Sequence, residues 1–122
     1  EPYKIGVYLS LPRDERTNLQ PAFPLADASL EWPALGYQRL ARVAARIVEA
    51  QLLRARGQEA WEPVGPLPVA RQGNIVELSL PLAELDVRPG EGVKLVVALG
   101  RDGVISELLP AGGAVNVTLE EW

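Results

Sequence analysis

The side chains that could do chemistry in this sequence are carboxylates, arginines and a few aromatic rings, because histidine and cysteine are both absent. That absence excludes the Ser-His-Asp triad, cysteine nucleophiles, and zinc or iron–sulfur sites built on Cys and His. Glycoside hydrolysis would need two carboxyl groups that face each other across a cleft. The available carboxylates lie on strand faces and turns, where carboxylates are usually solvated, so we expect no active site here: Glu77, Glu84, Asp102 and Glu107.

Aromatic side chains are the better candidates, for binding rather than catalysis. A tryptophan or tyrosine ring packs on the C–H face of a pyranose while neighbouring polar groups bind its hydroxyls. Trp32 and Trp61 lie among prolines in loop-like stretches, so the alternating pattern that builds the core leaves their rings unused. We predict that a bound sugar contacts Trp61 or Trp32, with Tyr37 and Arg39 nearby. The alternative is that these rings only pack the core or a domain interface.

Arginines form a basic stripe in an otherwise acidic chain. The stripe comprises Arg39, Arg42, Arg46, Arg54 and Arg56. We expect these side chains to lie mainly on one face, where they could bind an anionic glycan or an acidic domain surface. The interpretation that we favour is a solvated face whose arginines pair with nearby glutamates. Those glutamates are Glu49, Glu59 and Glu62.

Charge and composition also limit which partners and cofactors we expect. With 12 basic and 16 acidic residues the formal net charge is −4, which argues against nucleic acid as the main partner. No apolar run approaches the ~20 residues of a membrane span. The oxygen ligands that calcium could use do not form a D-x-D-x-D cluster, so we predict no metal and no cofactor. These oxygen ligands are Asp14, Glu15, Asp27 and Asp102.

Most of the elements that must position these residues are predicted to be short antiparallel strands. Residues 3–11 alternate as a strand with one buried face, and four further strands follow at 75–80, 93–99, 104–109 and 115–120. Asp102-Gly103 predicts a tight hairpin turn, and Pro81 begins one helical turn over 81–85. The proline-rich segment 12–36 is predicted to be a long surface loop or an irregular connection, and residues 61–68 are predicted to be irregular.

The segment 37–56 fits two templates. It contains no Gly or Pro, and Leu40, Val43, Ala44 and Ile47 recur at helical spacing. Ala41, Val43, Ala45 and Ile47 also alternate with charged residues, as in a strand. The remaining pattern predicts an antiparallel β-sandwich of the immunoglobulin or jelly-roll type, whereas a helix over 37–56 would make the fold α+β.

Residues 76–85, VELSLPLAEL, carry a resemblance to known sugar-binding β-sandwich modules. They resemble the pattern E-x-x-aliphatic-P-aliphatic-x-x-L of family 9 carbohydrate-binding modules, of the related DOMON domains, and of the C-terminal modules of glucodextranases and family 57 glycosidases. The likeness spans residues 3–12 and 69–119. In such sandwiches the counterpart of residues 40–53 is extended, so the resemblance favours a hairpin there.

The resemblance implies a non-catalytic accessory module of a polysaccharide-active protein. Such a module would bind α-glucan or a related carbohydrate, or pack on a neighbouring catalytic domain of the same polypeptide. The alternative is a structural or interaction domain that holds no small ligand. We expect residues 1–122 to be one domain excised from a longer chain, and the 11 prolines, the missing Cys and Met, and 10 arginines against 2 lysines suit a heat-loving source.

Overall fold

The computed structural model describes residues 4–12, 17–27, 29–33, 35–44, 46–57, 60–85, 87–110 and 113–118. Within these ranges the regular structure is nine β-strands and one 3-10 turn at Leu82–Glu84, with no α-helix. The all-β, antiparallel prediction is therefore confirmed, and the segment 37–56 is a hairpin rather than a helix. In chain order the strands are β1 (Lys4–Ser10), β2 (Arg39–Ala44), β3 (Glu49–Ala55), β4 (Trp61–Pro66), β5 (Val69–Gln72), β6 (Ile75–Leu78), β7 (Gly92–Arg101), β8 (Val104–Leu109) and β9 (Val115–Thr118).

Seven of the strands form one antiparallel sheet, and the other two form a separate hairpin, β5–β6, that packs on it. The order in the large sheet is β4-β3-β2-β1-β7, and β8 and β9 both pair with the free side of β7. The central strand is β1, in which Tyr8 and Leu9 are 2% and 1% exposed on opposite faces. The prediction of one buried face for this strand is wrong, because both faces of the sheet are covered.

The long connection from β1 to β2 covers the first face of the sheet, which we call the aromatic face. The buried residues of this face are Tyr8, Tyr37, Leu40, Leu53, Val96, Ala98, Ile105 and Leu108. Phe23, Leu25 and Trp32 of the connection pack against them. Backbone hydrogen bonds in both directions between Asn18 and Tyr37, at 2.9 and 3.0 Å, fasten the two ends of the connection together. The connection is therefore irregular, as predicted, but its apolar side chains pack on the core instead of leaving it a loop that lies only on the surface.

The second face, which we call the hairpin face, packs against β5–β6 and the 3-10 turn. Leu67, Val76 and Leu78 cover Ala41 and Leu52 of the large sheet. The 3-10 turn confirms the predicted helical turn. A further cluster beside it comprises Leu9, Leu11, Leu85 and Val93. Strand β5 was not predicted, and it pairs with β6 through a turn in which Gly73 has a φ of 59°.

Strand β4 lies at one edge of the large sheet, although its prolines predict an irregular segment. Pro63 and Pro66 pair with Leu53 and Gln51 of β3, and the register shifts between Leu52 and Leu53. An edge strand tolerates proline because the missing N–H is not needed for a second neighbour. The irregular prediction for this segment is therefore wrong, whereas the turn between β7 and β8 has the predicted positive φ at Asp102 and Gly103.

Candidate functional site

Three of the four predicted sugar-binding residues meet on the aromatic face. The rings of Trp32, Tyr37 and Trp61 surround Tyr8, with centroids 4.8, 5.6 and 5.9 Å from its own. The rings of Trp32 and Tyr37 are 5.2 Å apart. Centroid distances of 4.5–7 Å with tilted or edge-on rings are the favourable geometry for aromatic pairs. The four rings therefore form one packed cluster.

Hydrogen bonds tie most of this cluster to the long connection. The Tyr8 hydroxyl accepts the Ala22 N–H at 2.7 Å, and the Tyr37 hydroxyl donates to the Pro33 carbonyl at 3.0 Å. The Trp32 Nε1–H donates to the Leu19 carbonyl at 3.1 Å. Burial raises the pKa of Tyr8 to about 12 and also raises the pKa of Tyr37. The polar ends of these rings thus hold the connection on the sheet.

Two observations bear on the prediction that these rings bind sugar. Tyr37 is 0% exposed, so its ring is closed to a ligand in this structure. Trp32 and Trp61 are partly exposed, but both pack against the buried core around Tyr8. The premise that the core does not use their rings is therefore wrong. Sugar contact by the exposed parts of Trp32 and Trp61 stays a prediction.

The fourth predicted residue, Arg39, lies apart from the rings. Leu40 packs with Tyr8 on the aromatic face, and alternation along β2 directs Arg39 to the hairpin face. There the Arg39 Nε–H donates to the Glu84 carbonyl at 3.1 Å, and the side chain is 8% exposed. Arg39 therefore joins β2 to the 3-10 turn, and the structure does not bring it to the aromatic cluster.

The other end of the aromatic face carries an open hollow of about 830 Å³ beside the β2–β3 turn. Four polar side chains converge on it from three neighbouring strands: Lys4, Arg42, Glu49 and Gln51. Its apolar lining includes Val48, Pro66 and Pro68. A concave site with a small number of convergent polar groups is the usual form of a small-molecule binding site. We name this feature the polar hollow.

A glycine lies beside Arg42 on the neighbouring strand β1. Arg42 pairs with Gly6 on one side and with Gln51 on the other. A Cβ atom at Gly6 would lie 3.1 Å from the Tyr8 ring and 3.3 Å from Leu40 Cδ1, so both side chains would have to shift slightly to admit one. Glycine thus leaves room where the packed cluster meets the polar hollow, and no side chain lies directly opposite Arg42 on β1.

Charged groups in the polar hollow are not matched in pairs. Within the ranges that the structure describes, neither the Lys4 ammonium nor the Arg42 guanidinium forms an ion pair or hydrogen bond. Lys4 Nζ lies 5.7 Å from the centre of the Phe23 ring, and the positive charge of Arg42 acts on the buried hydroxyl of Tyr8. The hollow therefore presents two cations that its own described carboxylate, Glu49, does not neutralise by contact.

The basic stripe does not occupy one face, so that prediction is wrong. Arg39 and Arg54 are cross-strand neighbours on the hairpin face, whereas Arg42 lies on the opposite face beside Gln51. Arg54 pairs with Glu62, as expected for a solvated charge, but Glu59 lies outside the described residues. Side chains alternate along a strand, so Arg39 and Arg42, which are three positions apart, lie on opposite faces.

The turn at the rim of the polar hollow has an unusual backbone. Val48 has a φ of 54°, in the left-handed region that a β-branched residue rarely adopts. Val48 is 38% exposed and the preceding residue, Ile47, is 62% exposed. Residues held in sparsely populated backbone conformations cluster at active sites, ligand-binding segments and switch regions.

Sequence reasoning missed the polar hollow because its members are scattered and individually ordinary. Lys4, Glu49 and Gln51 were not selected as site residues, and Arg42 entered only as part of the stripe. The signal was present in the alternation of residues 41–47, since a hairpin over 37–56 puts Arg42 opposite Gln51. Arg42 and Gln51 are paired in this way only if residues 37–56 form a hairpin, and the sequence left a helix open as the alternative.

The residues considered for calcium binding and for catalysis add little to these two sites. Asp27 accepts hydrogen bonds from Ser29 that lower its pKa, while Asp14 and Glu15 lie outside the described residues. Over the described ranges no three acidic side chains cluster as metal ligands, and no helix has the length and apolarity to cross a membrane. The four carboxylates considered for catalysis, Glu77, Glu84, Asp102 and Glu107, are all exposed.

The chain matches no protein-family model, no curated protein and no solved structure.

Proposed function

We propose that this chain is a non-catalytic accessory module of a polysaccharide-active protein, and that it binds carbohydrate in the polar hollow. The observation that carries the proposal is the convergence of Arg42, Glu49 and Gln51 on one concave site. Guanidinium, carboxylate and amide groups are planar and form paired hydrogen bonds, which suit the neighbouring hydroxyls of a sugar ring. The same three groups would serve a folded core poorly, since they are costly to bury without partners.

The size and apolar lining of the hollow also support a sugar ligand. About 830 Å³ lies within the usual range of 300–1,000 Å³ for small-ligand sites. Val48, Pro66 and Pro68 supply apolar surface for the C–H groups of a sugar. The packed rings of Trp32 and Trp61 support the same face of the sheet, and their exposed parts offer a second contact for a longer polymer.

A second function, packing on a neighbouring domain, is favoured by an apolar strip elsewhere. Leu109, Val115 and Val117 are 44%, 46% and 37% exposed along β8 and β9, at the edge opposite β4. Exposed apolar residues grouped in this way are common at interfaces between domains. A structural or interaction domain with no small ligand would use this strip and leave the polar hollow empty.

Affinity electrophoresis and calorimetric titration of the whole chain test the proposal. The panel is soluble starch, cellulose oligomers, xylan and polygalacturonate, so that neutral and acidic polymers are both present. We expect binding to at least one of them, and we expect Gln51→Ala to weaken it about tenfold through lost hydrogen bonds. Gln72→Ala is the matched control, because Gln72 is exposed on β5 and does not line the hollow.

Three outcomes would contradict the proposal. If no polymer binds, the packing function replaces carbohydrate binding. If Gln51→Ala and Gln72→Ala bind equally well, the ligand does not use the polar hollow. If Trp32→Ala or Trp61→Ala abolishes binding without lowering the melting temperature, the site lies on the rings, as the sequence predicted.

A further inference from the structure

We infer that the polar hollow is a site for an acidic sugar, with Lys4 and Arg42 binding the carboxylate of a uronic acid residue. This inference rests on the proposed function, because it names the class of carbohydrate that the same site would take. It starts from the two unpaired cations described above and from their positions on the sheet.

The register of β1 and β2 places the two cations together. Lys4 pairs with Ala44 and Arg42 pairs with Gly6, so Lys4 and Arg42 are diagonal neighbours on one face. Diagonal neighbours in an antiparallel pair have Cα atoms roughly 7–8 Å apart, within reach for long side chains. Two like charges in this arrangement repel each other, and an anion between them would convert the repulsion into two attractions.

No described carboxylate of the chain fills that position. Glu49 reaches the hollow from β3, where it pairs with Ala44 and is, like Lys4, a diagonal neighbour of Arg42, yet it forms no ion pair with either cation among the residues described. The Phe23 ring beside Lys4 supports the ammonium without neutralising it. An acceptor that the described residues do not supply to these two cations would come from a ligand.

The surroundings of Arg42 make a carboxylate a strong ligand there. Arg42 is partly buried, and its guanidinium can form two parallel hydrogen bonds with a carboxylate. Partial removal from water strengthens the attraction between opposite charges. The chain as a whole has a net charge of −4, so an acidic polymer would be held by this local pair of cations and repelled elsewhere.

The volume of the hollow distinguishes an acidic sugar from a small anion. A carboxylate alone would occupy a minor part of about 830 Å³. Gln51 and Glu49 would remain free for hydroxyl groups, and Val48 and Pro66 for the apolar side of a ring. A uronic acid residue presents a carboxylate, hydroxyls and an apolar side on one six-membered ring, so it can use each of these groups at once.

Calorimetric titration with two matched ligands tests the inference. The ligands are the trimer of galacturonic acid and its methyl ester, which keeps the sugar rings and removes the charge. We expect the acid to bind about tenfold more tightly than the ester, because only the acid pairs with both cations. Added sodium chloride is expected to weaken binding of the acid and to leave binding of the ester unchanged.

Variants that remove one positive charge test which residues cause the acid to bind more tightly than the ester. Lys4→Gln and Arg42→Gln are each expected to remove most of the difference between acid and ester. Lys94→Gln is the matched control: it changes the net charge equally, but Lys94 is exposed on β7 and pairs with Ser10 and Asn116, away from the hollow. Lys4 is exposed, so Lys4→Gln tests the inference even if Arg42→Gln impairs folding.

The outcomes separate this inference from the proposed function. If acid and ester bind equally, or if only neutral polymers bind, the choice of an acidic sugar is wrong and carbohydrate binding stands. If sodium acetate binds as tightly as the trimer, the two cations form a general anion site and the inference is wrong. If no carbohydrate of either kind binds, both fail together.

Discussion

The two ends of the aromatic face share the same strands but differ in nearly every physical property. Around Tyr8 the sheet is covered by rings whose hydroxyl and indole groups are mostly hydrogen-bonded to the connection. Around Arg42 the sheet lies open, and its charged side chains form no ion pair or hydrogen bond among the described residues. The comparison teaches that aromatic type alone does not mark a binding site. The open end, whose lining includes no tryptophan, is the site that we propose.

The largest expected effect comes from truncating a ring at the packed end. Trp61→Ala removes a ring that packs on Tyr8, so the free energy of unfolding is expected to fall by about 2–3 kcal/mol. Gln51→Ala at the open end is expected to cost less than about 0.5 kcal/mol, as for a surface substitution. Urea denaturation measures both values.

Trp61→Phe is the control for that comparison. The Trp61 Nε1–H is buried and finds no acceptor among the described residues, so phenylalanine keeps most of the packing and loses no hydrogen bond seen there. Its cost is expected to stay within about 1.5 kcal/mol, as for other apolar exchanges in a core. Equal costs for Trp61→Ala and Gln51→Ala would show that the two ends do not differ in packing.

The next effect is a loss of stability at alkaline pH that the packed end alone should produce. Burial raises the pKa of Tyr8 from 10.0 to about 12, so between pH 10 and 12 the unfolded chain ionises this hydroxyl while the folded chain does not. Stability is therefore complete below pH 10 and is lost as pH rises through 12. The expected slope is about 1.4 kcal/mol per pH unit for Tyr8, and Tyr37 adds to it.

Urea denaturation at pH 9 and pH 11 measures this slope. Tyr8→Phe is expected to be less stable at pH 9, because the Ala22 N–H loses its acceptor, and to show a shallower decline with pH. The same decline in Tyr8→Phe and in the parent would place the titrating group outside the ring cluster.

The smallest effect concerns the strained turn at the open end. Val48→Gly is expected to raise the free energy of unfolding by about 0.5–1 kcal/mol, because glycine adopts a φ of 54° without steric cost. Val48 is 38% exposed, so little packing is lost. Thermal unfolding of Val48→Gly and of Val64→Gly provides the measurement and its control.

Val64 is the control because it is 40% exposed in β4 and is not among the residues with positive φ. Val64→Gly is therefore expected to destabilise the chain, since glycine weakens a strand. A loss of stability in Val48→Gly as well would show that the turn carries no strain.

The strands that the sequence predicted correctly are those whose alternation is not disturbed by proline. Residues 93–99 and 104–109 correspond closely to β7 and β8, and the Asp102-Gly103 turn lies between them. Strand β4 was missed because its prolines are excluded only from the interior of a sheet, and a sequence does not say which strand lies at the edge. The helix or hairpin choice over 37–56 depended on partners that lie 30 to 40 residues away on β1, from Leu9 with Arg39 to Lys4 with Ala44.

The candidate site was harder to predict than the fold. The sequence grouped Trp32, Tyr37 and Trp61 as sugar-binding residues, but their packing on Tyr8 depends on the connection crossing β1, which no local pattern encodes. Arg39 was grouped with Tyr37 by its position in the sequence, whereas β2 turns its side chain to the other face. Binding sites assembled from single residues of several strands leave no spacing that a sequence can show.

The pairing of β1 with β7 at the centre of the sheet also determines how quickly the chain can fold. Ser10 pairs with Lys94 and Lys4 with Gly100, so every contact of this pair joins residues more than 80 positions apart. Closing so long a loop costs entropy before any contact repays it, and proteins dominated by such pairings fold in milliseconds to seconds. During synthesis β1 must therefore remain unpaired on that side until residues 94–100 have left the ribosome.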